Sequence, residues 1–352
     1  MQPKMDGNLV IREYPEQHYK VLFNQRTGFF MRVEDDGYPE PFWAEEGPEL
    51  LDVSITNYCE RGCQFCYRKA NTKGQHMSLE ALNHVITQAK KAGVFQIALG
   101  GGNPNQHPYF KDVLRVIREA GIVPTYTTNG DGLSEDILAA TKAYCGAMAV
   151  SLYEPYMGYE EVFERIHSMG IKCNAHVILK IDTIDMLTSW FKNPPSFFKW
   201  INAIIILNYK PIISGSNLIV NDVLKLQQFY RAVANCNSVK IGFDSCSVPG
   251  IVSWMNVNST LVEPCESARF SAFISEDLRM YPCSFMANTG LFGDLRSDSL
   301  TDIWRNHSVF VTHREKLAHN KCIGCHARNL CNGGCVFIPE INQCHCFKNI
   351  EK

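Results

Sequence analysis

From residue 51 to about residue 215 the chain alternates short apolar runs of strand length with longer helical stretches, and six such strands can be counted. Residues 51–55, 95–99, 123–127, 147–152, 172–179 and 203–207 read as strands, separated by helical segments at 77–93, 110–121, 134–144 and 159–170 and a more ambiguous one near 184–190. Ser78 is placed to cap the first helix, and Gly93 to stop it. Strand–helix alternation of this kind builds a parallel sheet, open or closed into a barrel. In such sheets functional residues gather where the strands end at their C-terminal side. A cysteine loop, the run Gly100–Pro104, Thr128-Asn129-Gly130, Ser151 and Asn208 all occupy such places.

The cysteine loop follows the first strand directly and has the spacing Cys59-x3-Cys63-x2-Cys66. A loop this tight aims three thiolates at one inorganic cluster, and soft sulfur ligands suit iron–sulfur cubes. A cube has four irons, and the next cysteine is distant Cys145, so one iron is left open, as a catalytic metal site requires. A zinc knuckle would need a fourth nearby ligand. With Phe65 one residue before the last cysteine, this loop resembles that of the radical SAM superfamily. The resemblance implies an α/β fold, a partial (β/α)6 TIM-like barrel. It also implies a 4Fe–4S cluster on Cys59, Cys63 and Cys66 that binds S-adenosyl-L-methionine (SAM).

Gly101-Gly102-Asn103-Pro104, one strand–helix unit further on, resembles the Gly-Gly-Glu-Pro run with which that family holds the SAM amino group. Glycines at a strand end let a ligand approach the backbone. Asn103 departs from the family glutamate, and its amide oxygen can still accept from an ammonium, without charge. The resemblance places contacts to the SAM ribose and carboxylate at Thr128, Asn129 and Ser151. On the fifth strand Asn174, His176, Ile178 and Lys180 share one face, a polar stripe suited to a ligand-lined lumen. Asn208 and Lys210 close the sixth strand in the same manner, so His176 and Asn208 join the expected cofactor site.

Eight of the fifteen cysteines fall within residues 265–352: Cys265, Cys283, Cys322, Cys325, Cys331, Cys335, Cys344 and Cys346. Cys-x2-Cys pairs alone also suit zinc. The full order, with Gly293-Asp294-Leu295 and Leu300-Thr301-Asp302-Ile303-Trp304 between, resembles the C-terminal, cysteine-rich SPASM iron–sulfur domain, which carries auxiliary 4Fe–4S clusters. The resemblance assigns Cys265, Cys283 and Cys335 to one auxiliary cluster, with a fourth ligand unassigned, and Cys322, Cys325, Cys331 and either Cys344 or Cys346 to another. No cysteine lies near Cys265, which leaves an open iron as one reading. Cys246, in the turn Asp244-Ser245-Cys246-Ser247, is a candidate catalytic residue that returns a hydrogen atom to a substrate radical; ligation of that incomplete cluster and simple burial are the alternatives.

The expected organisation is a short β-rich extension (1–50, with a hairpin around 24–27), the barrel (51–215), a bridging region (216–264) and the cluster domain (265–352). A formal charge of −2 gives no basis for general nucleic-acid or membrane-surface binding. No apolar run spans a membrane and the N-terminus is not a signal peptide, so a cytoplasmic, reducing setting is expected. The resemblance implies reductive SAM cleavage and hydrogen abstraction from a peptide or protein substrate, with a flavodoxin- or ferredoxin-type electron donor. A small molecule or RNA as substrate, and a non-catalytic iron–sulfur or zinc protein, are the alternatives.

Overall fold

Leu50–Thr56 sets the frame, because it is the strand that ends in the cysteine loop and has a neighbour on each side. The computed structural model describes residues 4–156, 158–211, 218–319, 322, 325 and 327–344. Its N-terminal part holds β1 (Lys4–Asp6), β2 (Leu9–Tyr14), β3 (Tyr19–Asn24) and β4 (Phe30–Glu34), an antiparallel sheet in that order. The expected hairpin is present as β3–β4, and β1 and β2 extend it. Val10, Tyr14, Tyr19, Val21 and Phe23 are buried against Phe95 and Val123, at the end of the main sheet opposite the cysteine loop.

The main sheet contains β5 (Leu50–Thr56), β6 (Gln96–Gly101), β7 (Val123–Thr128), β8 (Ala147–Ser151), β9 (Cys173–Leu179) and β10 (Ala203–Asn208), each pairing in parallel with the next. Between them run α1 (Leu79–Ala92), α2 (Phe110–Glu119), α3 (Glu135–Tyr144), α4 (Tyr159–Ser168) and α5 (Ile184–Lys192). In α1 the hydroxyl of Ser78 accepts from the Ala81 N–H, Gly93 ends the helix at φ 82°, and Leu82, Val85, Ile86 and Ala89 form the buried stripe. Ser134 caps α3 in the same way.

The sheet is wider than six strands. After α6 (Val223–Ala234) the short β11 (Ile241–Phe243) joins β10 in parallel, so a strand from within residues 216–264 belongs to the sheet. At the other edge β12 (Ser271–Ile274) pairs in parallel with β5 and forms a hairpin with β13 (Arg279–Tyr281), followed by β14 (Gly293–Asp294). A free β5 edge would expose a row of unpaired N–H and C=O groups, and β12 covers it. Beyond lie α7 (Val248–Trp254), α8 (Leu300–Asn306) and α9 (Ser308–Ala318). Among the described residues no helix is long and apolar enough to cross a membrane.

Arg32 of β4 ties three parts together. It is bonded to buried Glu49 at 2.7 Å and to Glu266, just ahead of β12, also at 2.7 Å, and it lies over the Phe270 ring. Burial pushes the Glu49 carboxyl up to about 7 against the pull of Arg32. Removing one partner of such a pair leaves an uncompensated charge, at a cost of about 3–5 kcal/mol. Arg32→Leu is therefore expected to lower unfolding free energy by about that amount in urea titrations monitored by circular dichroism; a change under about 1 kcal/mol would show that Arg32 is not a tie.

Candidate functional site

A cavity of about 420 Å³ opens at the C-terminal strand ends. Cys59, Cys63 and Cys66 line one wall, and Gly100, Gly101, Gly102, Thr128, Asn129, Ser151, His176 and Asn208 continue it around the sheet. Phe65 lines it too, its ring 5.6 Å from that of Tyr153, and the Arg61 guanidinium lies 5.0 Å over Tyr153 on the other side. The β12–β13 hairpin closes the remaining side with Phe273, while Ser284 and Phe285 follow. Glu276, in the hairpin turn, accepts from Arg68 at 2.7 Å and from the Ser54 hydroxyl at 2.8 Å, which fixes the hairpin to the cysteine loop.

The glycine run is held by its neighbours on both sides. Gly102 N–H donates to Thr56 O at 2.7 Å and Asn103 N–H to Tyr58 O at 2.9 Å. A Cβ on Gly101 (φ 108°) would stand 2.1 Å from Thr56 O, and one on Gly102 2.0 Å from Tyr58 O. These two glycines are thus required for loop-on-loop contact, whereas a Cβ on Gly100 meets open space. Asn103 differs from its expected role. It is 1% exposed and does not line the cavity; its Oδ1 accepts from the Thr128 hydroxyl at 2.9 Å and the Asn129 N–H at 3.2 Å. Its Nδ2 donates to Asp131 O, as does that of Asn105. A neutral amide can accept at one end and donate at the other, which a carboxylate cannot, so the side chain turns inward and staples the β6 and β7 loops. Pro104 is also buried away from the cavity, at the start of a short turn.

The polar stripe on β9 is divided: His176 and Ile178 face the cavity, Asn174 bonds Asn202 at 2.8 Å, and Lys180 pairs with Asp182 at 2.9 Å. Burial lowers the His176 imidazole to about 4, so it stands neutral near pH 7 with one donor and one acceptor. Asp52, on the cavity wall, is pushed up to about 6 by burial. Lys210 forms a tight ion pair with Asp244, which also accepts from the Asn208 N–H.

Eight of the remaining cysteines fall into two groups. Cys246, Cys265, Cys283 and Cys335 line a second, smaller cavity. Burial raises all four thiols, Cys265 to about 11 and Cys283 to about 12. Cys331 stands within electrostatic range of Cys322, Cys325 and Cys344; Cys346 lies outside the described residues. Among the described residues no three Cys, His, Asp or Glu side chains close on a point as ligands of one ion would. Cys59, Cys63 and Cys66, and separately Cys246, Cys265, Cys283 and Cys335, instead line cavity walls, an arrangement that fits cubane clusters and their thiolate ligands.

The radical SAM superfamily pattern matches residues 53–192, and the SPASM iron–sulfur cluster-binding pattern matches residues 265–326. The chain carries a radical SAM domain followed by a SPASM domain. Its fold follows that of Streptococcus suis SuiB bound to the precursor peptide SuiA, with a TM-score of 0.74 over 95% of each chain at 14% identity. It also follows that of anSMEcpe with bound AdoMet, TM-score 0.62 over 81% of this chain and 89% of that one, at 14% identity. Curated relatives include the GTP 3′,8-cyclase of Photorhabdus laumondii, 26% identical over 43% of this chain and 53% of that protein. The PqqA peptide cyclase of Ruegeria pomeroyi is 26% identical over 32% of this chain and 30% of that protein. The chain thus spans about half, or less, of the length of these relatives.

Tyr153, Arg61, Asp52, Asp244 and Phe285 reach the radical SAM cavity without a sequence signal strong enough to mark them. Tyr153 had the best one, two residues beyond the end of β8. Gly101→Ala is expected to drive the glycine run off the cysteine loop and to lose SAM binding by tenfold or more in anaerobic equilibrium dialysis, with iron content retained; wild-type affinity would contradict the packing role. Asn103→Leu strands the Asn129 N–H, while the Thr128 hydroxyl keeps its bond to Asn105 Oδ1 at 2.6 Å, and is expected to cost about 1–3 kcal/mol in denaturant titrations.

Proposed function

We propose that this protein cleaves SAM reductively and abstracts a hydrogen atom from a peptide or protein substrate, forming a crosslink, epimer or oxidised side chain. Cys59, Cys63 and Cys66 would hold the SAM-binding cluster, and the two C-terminal cysteine groups the auxiliary ones. When bound, the first cluster and SAM supply an electron and a 5′-deoxyadenosyl radical. The protein's own contribution is position and exclusion of water. Gly100 leaves room beside the cysteine loop, while Phe65 and Tyr153 provide apolar wall. Neutral His176 offers hydrogen bonds without a charge, and the Lys210–Asp244 pair fixes the far wall.

One observation carries the peptide reading. The fold is shared with SuiB over nearly the whole of both chains, cluster domain included, and SuiB has been seen with its precursor peptide. The anSMEcpe structures with bound peptides support it. A nucleotide substrate is the second reading, because the GTP 3′,8-cyclases are similar in sequence to part of this chain. A cytoplasmic setting and a flavodoxin- or ferredoxin-type donor belong to the same proposal.

Anaerobically reconstituted protein is expected to hold about twelve irons, four for each of three cubanes. Cys59, Cys63 and Cys66 changed together to Ala should lose about a third of that iron and all 5′-deoxyadenosine formation. Stoichiometric zinc with four irons or fewer in well-folded wild type would defeat the auxiliary assignment. Incubation with SAM, dithionite and the short peptide encoded nearest this gene should change the peptide mass. Formation of 5′-deoxyadenosine stimulated by GTP and not by peptide would favour the nucleotide reading.

A further inference from the structure

Resting on the reading that Cys265, Cys283 and Cys335 hold an auxiliary cluster, we infer that Cys246 is its fourth ligand and that no iron there is open to substrate. The cysteine order left this position unfilled, since no cysteine lies close to Cys265. In the fold Cys246, nineteen residues earlier in the chain, lines the same small cavity as the other three thiols. It stands within electrostatic range of Cys265 and Cys335 but does not line the large cavity, where a donor of hydrogen atoms to substrate would have to stand.

The backbone holds it there. The turn after β11 is closed by Ser247 N–H to Asp244 O at 2.9 Å and the Ser247 hydroxyl to Asp244 Oδ1 at 2.7 Å. Asn208 Nδ2 donates to the Cys246 carbonyl at 3.3 Å. The other three sulfurs are similarly prepared by backbone donors. Ser267 N–H faces Cys265, Phe285 N–H faces Cys283, and Ile338 N–H donates to Cys335 at 3.2 Å. N–H groups aimed at sulfur are the contacts that tune iron–sulfur clusters.

His313 is the competing donor in this wall. Its Nε2 lies 3.0 Å from the Ser267 hydroxyl, which donates its own proton to Pro282 O at 2.8 Å. The hydroxyl proton being used, His313 must be the donor in that contact. A protonated Nε2 has no lone pair for iron.

The test uses the full chain with Cys59, Cys63 and Cys66 changed to Ala, so that auxiliary signals stand alone. It is reconstituted anaerobically and read by iron content and by electron paramagnetic resonance after dithionite reduction. Adding Cys246→Ala is expected to remove between one and four irons per chain and to alter or abolish one of the two cluster signals. Cys246→Ser, which keeps an oxygen donor, should retain the iron but shift that signal. Added imidazole should perturb the Cys246→Ala spectrum and leave the parent spectrum unchanged, because only the variant has an open iron. His313→Gln should change nothing. Unchanged iron and spectra in Cys246→Ala would overturn the assignment while leaving the auxiliary clusters in place, as would imidazole binding to the parent. No iron at all in the parent would overturn the auxiliary-cluster reading itself, and the assignment of Cys246 with it.

Discussion

The parallel pairing of β12 with the outer edge of β5 is the contact on which the rest of the arrangement depends. β5 delivers the cysteine loop, and its inner edge is already taken by β6. By occupying the outer edge, β12 makes the cluster domain a continuation of the sheet rather than an attachment to it. Because β12 and β13 are antiparallel, Cys265 before the hairpin and Cys283 after it come to the same end. The hairpin turn meanwhile reaches the cysteine loop through Glu276. Arg32 reinforces the junction from the N-terminal sheet, bonding Glu49 just before β5 and Glu266 just before β12.

The polar groups of the large cavity divide by partner. Lys210 and Asp244 neutralise each other, so little net charge is left to bind a strongly ionic substrate. His176 is kept neutral by burial, and burial raises the Asp52 carboxyl to about 6 without neutralising it near pH 7. Such a wall can orient a substrate by hydrogen bonds.

Much of this was legible from local pattern. The cysteine loop, the glycine run, the Ser78 and Gly93 caps and the six alternating strands each carry their signal within a few residues, where backbone chemistry decides the outcome. The pairing of β12 with β5 was not legible, because a four-residue strand bears no mark of its partner. The grouping of Cys246 with Cys265, Cys283 and Cys335 was one of three readings the sequence allowed, and it depends on β11 lying beside β10. Asn103 shows a different limit. Its place in the motif was readable, but whether its amide faced a ligand or the Thr128 hydroxyl depended on the second loop against which it packs.

Asn208 carries a consequence for how a substrate gains access. Its side-chain amide holds the Ile341 carbonyl at 3.0 Å and the Cys246 carbonyl at 3.3 Å, while its backbone N–H is bonded to Asp244. One buried residue at the end of β10 therefore rivets the sheet, the cysteine turn and the C-terminal segment together. A clamshell opening between barrel and cluster domain would break the bond to Ile341, leaving a buried donor and acceptor unpaired at about 1–3 kcal/mol. The wall that a bound molecule meets is therefore shared between sheet and C-terminal segment, and a change at Asn208 reaches both.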